Sequence, residues 1–295
     1  MTAARKPVVY IQGGIFMSMR IMNNVQAQFA HRQLSTTNLR LNKSLEKLSS
    51  GYRINSASDD AAGLAISEKF RTQIYGLEQS RRNTMDGISL LQTAEGGLEE
   101  LQTILQRMRV LSIQASNGTL TDSDRNLIQA EVNQLLSEID RMTSTVTFNT
   151  IKLFDGFGVG STAGDSSIAI HVGANGNQTL RIGLSTQSTA TLGLTGLSLA
   201  TAAGAESAIA VLSSAINTVS ENRARIGAMQ NRLEHTYNFS GISRENQMAA
   251  ESRIRDVDFA EEMINFTKQQ ILMQAGNSML AQANLMPQSV LQLLG

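Results

Sequence analysis

Proline, the residue that most strongly interrupts helices, is almost absent from this chain. It occurs only as Pro7 and Pro287 among 295 residues, so nearly the whole chain lacks a helix breaker. Aromatic residues make up only 4% and tryptophan is absent, which suits narrow contacts between helices better than a thick core. We therefore expect a mainly α-helical, elongated protein built from long, uninterrupted helices.

Apolar residues recur at alternating spacings of three and four along much of the chain. This spacing aligns side chains on one narrow face of a helix, as in coiled coils. It predicts three helices that form a long antiparallel helical rod, over residues 88–111, 128–146 and 209–233. The polar stretch 238–243 contains a glycine and predicts a break or flexible joint after the third of them.

Turn and capping signals separate the first two predicted rod helices. Asn117 and Gly118 are typical of a turn, and Thr121 with Asp124 three residues later is typical of a capping box that starts a helix. Because the connection is short, the two helices are expected to pair antiparallel.

The middle segment, residues 156–204, differs sharply from the helical stretches in composition. It is rich in glycine, serine and threonine and carries only Asp165 and Arg181 as charged residues. Alternating apolar residues in 168–172 and 179–182 flank a glycine- and asparagine-rich turn. This pattern predicts a small β-hairpin.

Charge and reactive residues exclude several function classes. Basic and acidic side chains balance at 25 each, so the chain lacks the basic footprint of a nucleic-acid partner. No run of about 18 apolar residues predicts membrane insertion. Cysteine is absent, the three histidines lack metal-ligand spacing, and no nucleophile motif occurs. The sequence therefore predicts no enzyme, no catalytic residue, no metal and no cofactor.

Helical periodicity also runs through both ends of the chain. A lone terminal helix buries too little apolar surface to stay folded, so the two ends are expected to join each other and further copies. An ordinary intramolecular bundle is the alternative. The predicted assembly seam consists of Leu41, Leu45, Leu48, Leu272, Met279, Met286, Val290 and Leu293.

Several motifs at both ends resemble those of the bacterial flagellins. The N-terminal motifs are LSSGYRINSASDDAAGLAIS (48–67), NTMDGIS (83–89), QTAEG (92–96) and FN (148–149). The C-terminal motifs are QNRL (230–233), ESRIRD (251–256) and MLAQAN (279–284). The resemblance covers nearly all of residues 17–155 and 205–295, and the middle segment carries no such signature.

The resemblance implies a structural subunit that is exported unfolded by the type III export apparatus and self-assembles into a filament for swimming. It implies an export chaperone on the C-terminal tail, and contacts with the filament cap and the hook-junction proteins. An external filament and a periplasmic one both fit the sequence. The expected regions are a leader (1–16), a terminal coiled coil (17–60 with 255–295), a helical rod (61–155 with 205–254) and a short variable β region (156–204).

Residues 1–16 have no counterpart in the resemblance. Helical periodicity begins near Met17 and Met19, which suggests that translation starts there and that the leader is absent from the native protein.

Some flagellins are recognised by an innate immune receptor of the Toll-like type through a motif on the rod helices. That motif carries over to this chain as Gln106, Arg107, Leu111, Gln114 and Glu131. The alternative is that Leu111 belongs to the helix seam and that the polar residues make rod or filament contacts.

Two other functions remain alternatives at this point. A hook-filament junction protein shares the terminal helices, but that family usually has proline after the Asp-Asp pair, where this chain has Ala61. A cytoplasmic coiled-coil adaptor would form a small, closed oligomer.

Overall fold

The computed structural model describes residues 23–154 and 167–294, with side chains to residue 286. Within these ranges the helices are α1 (Val25–Ser50), α2 (Ala61–Ala115), α3 (Asp122–Thr145), α4 (Ala202–Arg255) and α5 (Phe259–Leu294). The strands are β1 (Thr147–Phe148), β2 (Ile151–Lys152), β3 (Ser167–His171) and β4 (Thr179–Gly183). The predicted mainly α-helical fold with a small β region is confirmed. The predicted leader lies outside the described residues.

Contacts divide the chain into two compact units. The terminal unit contains the described residues up to 65 together with 253–294, and the rod unit contains those between 66 and 252. Helices α1 and α5 belong wholly to the terminal unit, and the residues of α2 and α4 are divided between the two units.

Helices α3 and α4 each run antiparallel to α2 in the rod unit. Arg107 of α2 pairs with Glu131 of α3 at 2.7 Å. Pairs of interacting side chains join α2 and α4, and the residue numbers of the pairs rise along α2 as they fall along α4. These pairs include Arg71 with Glu251, Glu78 with Arg244, Glu95 with Gln230, and Gln102 with Arg223.

A continuous apolar core fills the rod unit. It contains the predicted seam of α2 together with buried side chains of α3 and α4. The α2 contribution between Ile88 and Leu111 is Ile88, Leu90, Leu91, Ala94, Leu98, Leu101, Leu105, Met108 and Leu111. Burial of each large side chain stabilises the rod by roughly 1.5–3 kcal/mol.

The turn between α2 and α3 is closed by side chains that the sequence identifies. Thr121 and Asp124 form the predicted capping box at the start of α3. The buried guanidinium of Arg125 donates to the backbone oxygens of Ala115 and Asn117. These bonds satisfy carbonyl groups that the end of α2 leaves without helical partners.

Both hairpins pack on the rod helices. In the predicted one, Ile168 pairs with Ile182 and Ile170 with Leu180. A methyl group added at Gly97 of α2 would lie 2.7 Å from Phe154 Cε2, so the chain after β2 approaches the helix where it has no side chain. Beyond β4, further leucines of the middle segment are buried in the same core: Leu184, Leu192, Leu194 and Leu199.

The break predicted over residues 238–243 is wrong, because α4 continues to Arg255. A helical glycine such as Gly241 costs only about 1 kcal/mol, and tertiary contacts override this cost. The Arg81 guanidinium donates to the Tyr237 hydroxyl at 2.7 Å, and Ser240 is buried. The helix ends instead before residues 256–258, where Asp258 accepts from the backbone N–H groups of the first turn of α5.

Candidate assembly surface

Helices α1 and α5 pair antiparallel along the terminal unit. The Asn24 side-chain amide donates to the Ala283 carbonyl at 2.8 Å, near the start of α1. Leu34 contacts the helix at Gly276, where the absent side chain allows close approach. Near the other end of α1, Lys47 Nζ lies 3.8 Å from Glu262 Oε2.

Backbone contacts close the pair where α1 ends. Gly51 terminates the helix in the left-handed conformation, with φ of 76°. Its carbonyl accepts from the Val257 N–H at 3.0 Å, and the Arg53 N–H donates to the Arg255 carbonyl at 2.6 Å. The Arg255 guanidinium lies 4.8 Å from the centre of the Tyr52 ring. These contacts fix the register in which α1 faces α5.

The loop between α1 and α2 is organised around Asp59. Lys43 Nζ lies 2.6 Å from Asp59 Oδ1, and the backbone N–H groups of Ser56 and Asn55 donate to Oδ2. The hydrogen bond from Lys43, followed by that from Ser56, holds the pKa of the Asp59 carboxyl well below its usual range. The loop is thereby tied to α1 as long as Asp59 is ionised.

The neighbouring carboxylate, Asp60, caps α2. Its Oδ1 accepts from the Gly63 N–H at 2.8 Å. A methyl group at Gly63 would lie 2.8 Å from Ile54 Cδ1, and Ile54 is almost completely buried. Both members of the Asp59-Asp60 pair therefore have structural partners at the start of a helix.

The contact between α1 and α5 is narrow, and its large apolar side chains are only half-buried. We call the facing residues the inner stripe. On α1 they are Ala27, Ala30, Leu34, Thr37, Leu41, Ser44 and Leu48, and on α5 they are Phe266, Gln269, Met273, Gly276, Leu280 and Ala283. The only buried side chains of α1 are those of Thr37 and Ser44. A half-buried side chain gains only part of the stabilisation that full burial gives, so this contact stabilises its helices less than the rod core stabilises α2.

Helix α5 carries a second set of apolar residues that remain exposed. We call this set the outer stripe of α5: Ile264, Ile271, Leu272, Met279, Leu285 and Met286. With 3.6 residues per turn, its centre lies roughly 130° around the helix from the inner stripe. A helix that is apolar on two faces is expected to be covered on both.

Helix α1 repeats this arrangement. Val25, Phe29 and Leu39 are each more than half exposed and project from the side opposite the inner stripe. Several exposed apolar side chains on both helices make these faces a candidate interaction surface.

The predicted seam residues fall into three groups. Leu41 and Leu48 lie half-buried on the inner stripe, and Leu45 lies exposed at its edge. Three others belong to the outer stripe: Leu272, Met279 and Met286. The side chains of Val290 and Leu293 lie outside the described residues.

Three residues of the outer stripe were missed by the sequence prediction: Ile264, Ile271 and Leu285. One heptad template identifies one seam, and these residues occupy the neighbouring heptad column. Their signal is the spacing of seven between Ile264 and Ile271, followed by Leu285 two heptads later.

The predicted receptor motif lies on α2 and α3 of the rod unit. Gln106, Arg107, Gln114 and Glu131 are exposed, and Arg107 donates to Glu131 through two nitrogens. Leu111 differs from them, because only 2% of its surface is exposed. Its side chain belongs to the rod core.

Within the described ranges, none of the helices is both long enough and apolar enough to cross a membrane.

Comparison with known proteins identifies both ends of the chain. The family model of the bacterial flagellin N-terminal helical region matches residues 21–158, and that of the C-terminal helical region matches residues 209–294. The flagellin of Halalkalibacterium halodurans is 48% identical over 278 residues, which span 94% of this chain and all of that protein. The flagellar filament 33 kDa core protein of Treponema phagedenis is 47% identical over 285 residues, again 94% of this chain and all of that protein.

A crystal structure of Bacillus cereus flagellin is also similar to this chain. It has 33% sequence identity and a TM-score of 0.46, and the match covers 54% of this chain and 88% of that chain.

Proposed function

The chain belongs to the bacterial flagellins and is a structural subunit of the flagellar filament, and from this premise we propose that its terminal helices carry the surface through which copies polymerise. The filament-subunit hypothesis is confirmed, and it replaces the junction-protein and adaptor alternatives. The flagellins are structural proteins whose role in the cell is motility.

The observation that carries the proposal is the pair of apolar faces on α5. In one copy, the inner stripe meets α1 while the outer stripe remains exposed to solvent. Other copies are the occupants that a filament supplies along its whole length. Covering a large apolar side chain contributes up to about 2 kcal/mol, so several half-exposed side chains in every subunit supply a substantial driving force.

The narrow inner stripe supports a second part of the proposal, that the terminal helices gain most of their stability during assembly. Its leucines on α1 are only half-buried, and Thr37, Ser44 and Gly276 bury little apolar surface. The assembly residues are those of the predicted seam together with the outer stripe. Polymerisation and ordering of α1 and α5 are then a single coupled process.

The division of the chain into regions follows the same logic. Residues 17–60 with 255–295 are assigned to the polymerising inner layer, 61–155 with 205–254 to the rod, and 156–204 to the short β region. The grouping of contacts into a terminal unit and a rod unit supports the first two assignments. The burial of Leu194 and Leu199 gives the third region the additional task of stabilising the rod.

The proposed partners before assembly are an export chaperone and the type III export apparatus. A subunit with an exposed apolar α5 would associate prematurely, so a chaperone that covers residues 255–295 keeps it monomeric until export. After export, the filament cap and the hook-junction proteins are the proposed partners at the two ends of the polymer.

A host receptor of the Toll-like type is a further proposed partner of the monomer. Gln106, Arg107, Gln114 and Glu131 would contact the receptor, and Leu111 would act through the packing of α2. Arg107→Ala is expected to lower activation of a receptor reporter by soluble monomer. An unchanged response would contradict this assignment.

The direct test of the assembly surface is a charge on the outer stripe. Ile271→Glu is expected to leave the rod folded and to raise the critical concentration for seeded polymerisation at least about tenfold, because a buried, unpaired carboxylate is costly. Gln270→Glu adds the same charge at the preceding exposed position and is the matched control.

Circular dichroism checks the helix content of both variants, and electron microscopy with sedimentation measures the polymer. Equal polymerisation of Ile271→Glu and wild type would contradict the proposal. An equal loss in Gln270→Glu would mean that charge alone, and not the outer stripe, controls assembly.

A further inference from the structure

Methionine supplies all the sulfur in this protein. The chain contains 13 methionines and no cysteine. Thiolates are usually the first protein groups that mild oxidants attack, so here thioethers are the sulfur groups available for oxidation. The thioether reacts where it is accessible, so exposure decides which methionines can be oxidised, and position decides which of them affects assembly.

The methionines of the described residues differ in exposure, and position as well as exposure is needed to select among them. Met263, on α5 but outside the outer stripe, is 50% exposed, and Met286 on the outer stripe is 42% exposed. Met279 is 65% exposed and is the most accessible methionine among them. It lies on the outer stripe, one heptad after Leu272 and one heptad before Met286. At the other extreme, Met108 is 0% exposed in the rod core.

We propose that the thioethers of Met279 and Met286 form an oxidation site at which peroxide blocks polymerisation of the monomer. This inference rests on the proposed function, because it requires the outer stripe to be an assembly surface. The oxidant class is a hydroperoxide, with hydrogen peroxide as the simplest member.

The reaction is a two-electron oxygen transfer. The sulfur lone pair attacks one peroxide oxygen, the O–O bond breaks, and an S–O bond forms. The leaving hydroxide takes the proton from the transferred oxygen and departs as water. Sulfur is oxidised to the sulfoxide, and the peroxide is reduced to water.

The product disfavours assembly for a physical reason. A sulfoxide is polar and a hydrogen-bond acceptor, whereas Leu272 and the rest of the outer stripe offer apolar surface. Covering an acceptor without giving it a partner is costly. The oxidised monomer is therefore expected to polymerise with a critical concentration at least about tenfold higher than that of the untreated monomer.

The same geometry limits the reaction to unassembled protein. If neighbouring copies cover the outer stripe, Met279 becomes inaccessible in the filament. Peroxide is then expected to oxidise Met279 several-fold more slowly in filaments than in monomers. Met108 is expected to stay reduced in both, since the rod core already covers it.

The experiment treats the full-length monomer with hydrogen peroxide and maps sulfoxides by peptide mass spectrometry. Seeded polymerisation is measured before and after treatment, and again after methionine sulfoxide reductases have restored the thioethers. We expect oxidation at Met279 and Met286, a loss of polymerisation, and its recovery on reduction.

Two double variants locate the effect, and each is compared with its own untreated sample. Met279→Leu with Met286→Leu removes the proposed site and is expected to abolish the peroxide response. Met85→Leu with Met248→Leu is the matched control, because both residues are 47% exposed but lie on α2 and α4 of the rod unit. This control is expected to remain as sensitive as wild type.

Two results would overturn the inference while leaving the proposed function intact. They are normal polymerisation of oxidised wild type and an undiminished peroxide response in the Met279 and Met286 variant. Equal oxidation rates of Met279 in filaments and monomers would mean that other copies do not cover the outer stripe, which would contradict both the inference and the proposed function. A failure of untreated wild type to polymerise would instead overturn the proposed function, and this inference with it.

Discussion

The rod unit and the terminal unit differ in what their helices bury. In the rod, α2 alone contributes a long series of almost completely buried side chains, among them Leu91, Leu101 and Leu105. In α1 and in α5 to residue 286, no apolar side chain reaches that degree of burial. Apolar residues recur at helical spacing in both units, but only in the rod are they almost completely buried within one copy of the chain.

Under the proposed function, this difference would allow one chain to fold as a monomer through its rod and to polymerise through its terminal helices. The rod folds on its own contacts, which do not depend on protein concentration. In the proposed assembly other copies cover the apolar surface that the terminal helices leave exposed, so the stability of these helices should rise with protein concentration. Substitutions in the two units should therefore alter different measured quantities.

The largest expected contrast is between two leucines, each replaced by alanine. Leu105 is 0% exposed in the rod core, so Leu105→Ala should lower the free energy of unfolding of the monomer by about 2–5 kcal/mol. Leu272 is 46% exposed on the outer stripe, so Leu272→Ala should change the free energy of unfolding of the monomer by less than about 1 kcal/mol and should weaken polymerisation.

Denaturant unfolding of the monomer and sedimentation of the polymer separate the two effects. Comparable losses of monomer stability in both variants would show that the terminal helices complete their core within one copy.

A second contrast uses adjacent glycines within α2. Gly97→Ala places a methyl group against Phe154 and should destabilise the rod by about 1–3 kcal/mol. Gly96→Ala meets no atom within 4 Å and should stabilise the helix by up to about 1 kcal/mol. Thermal unfolding of the two monomers measures the change in melting temperature of each variant. Changes of the same sign would mean that the chain after β2, with Phe154, does not pack closely on α2.

Not all of this architecture could be predicted from the sequence. The scarcity of proline, the capping box at Thr121 and the alternation in β3 and β4 are local signals, and each predicted its element correctly. The break over 238–243 was wrong because the contacts of Tyr237 and Arg244 with α2 decide that region. Those contacts join residues distant in sequence, where local propensity carries no information.

In the middle segment and on the outer stripe, the sequence also could not predict which apolar side chains are buried. Leu192, Leu194 and Leu199 lie in a glycine-rich stretch without helical period, so their place in the core had no periodic signal. On α5 the heptad pattern correctly grouped Leu272 and Met279 on one face of the helix. The pattern alone does not say whether α1 or another copy of the chain covers that face, because this depends on which face of α5 packs against α1.

The smallest expected effect is a pH dependence confined to the terminal unit. The pKa of Asp59 is lowered in the folded chain, so the ionised carboxylate stabilises the fold above the unfolded pKa of about 4. This stabilisation is lost as the pH falls through the lowered folded value.

Asp59→Asn should remove that contribution at neutral pH and flatten the acid dependence. Asp122→Asn is a suitable control, since Asp122 is an exposed carboxylate on the rod unit that pairs with the Arg125 guanidinium. Thermal unfolding between pH 2 and pH 7 measures the effect, and parallel acid profiles of wild type and Asp59→Asn would contradict the assigned role of Asp59.

The central claim is that the terminal helices polymerise the subunit while the rod folds without them. Its most direct test is electron microscopy of the full chain and of a variant lacking residues 255–295, each incubated at high concentration with preformed seeds. The full chain should form long, uniform filaments, and the shortened chain should stay soluble and helical without polymerising. Filaments from the shortened chain would contradict the claim.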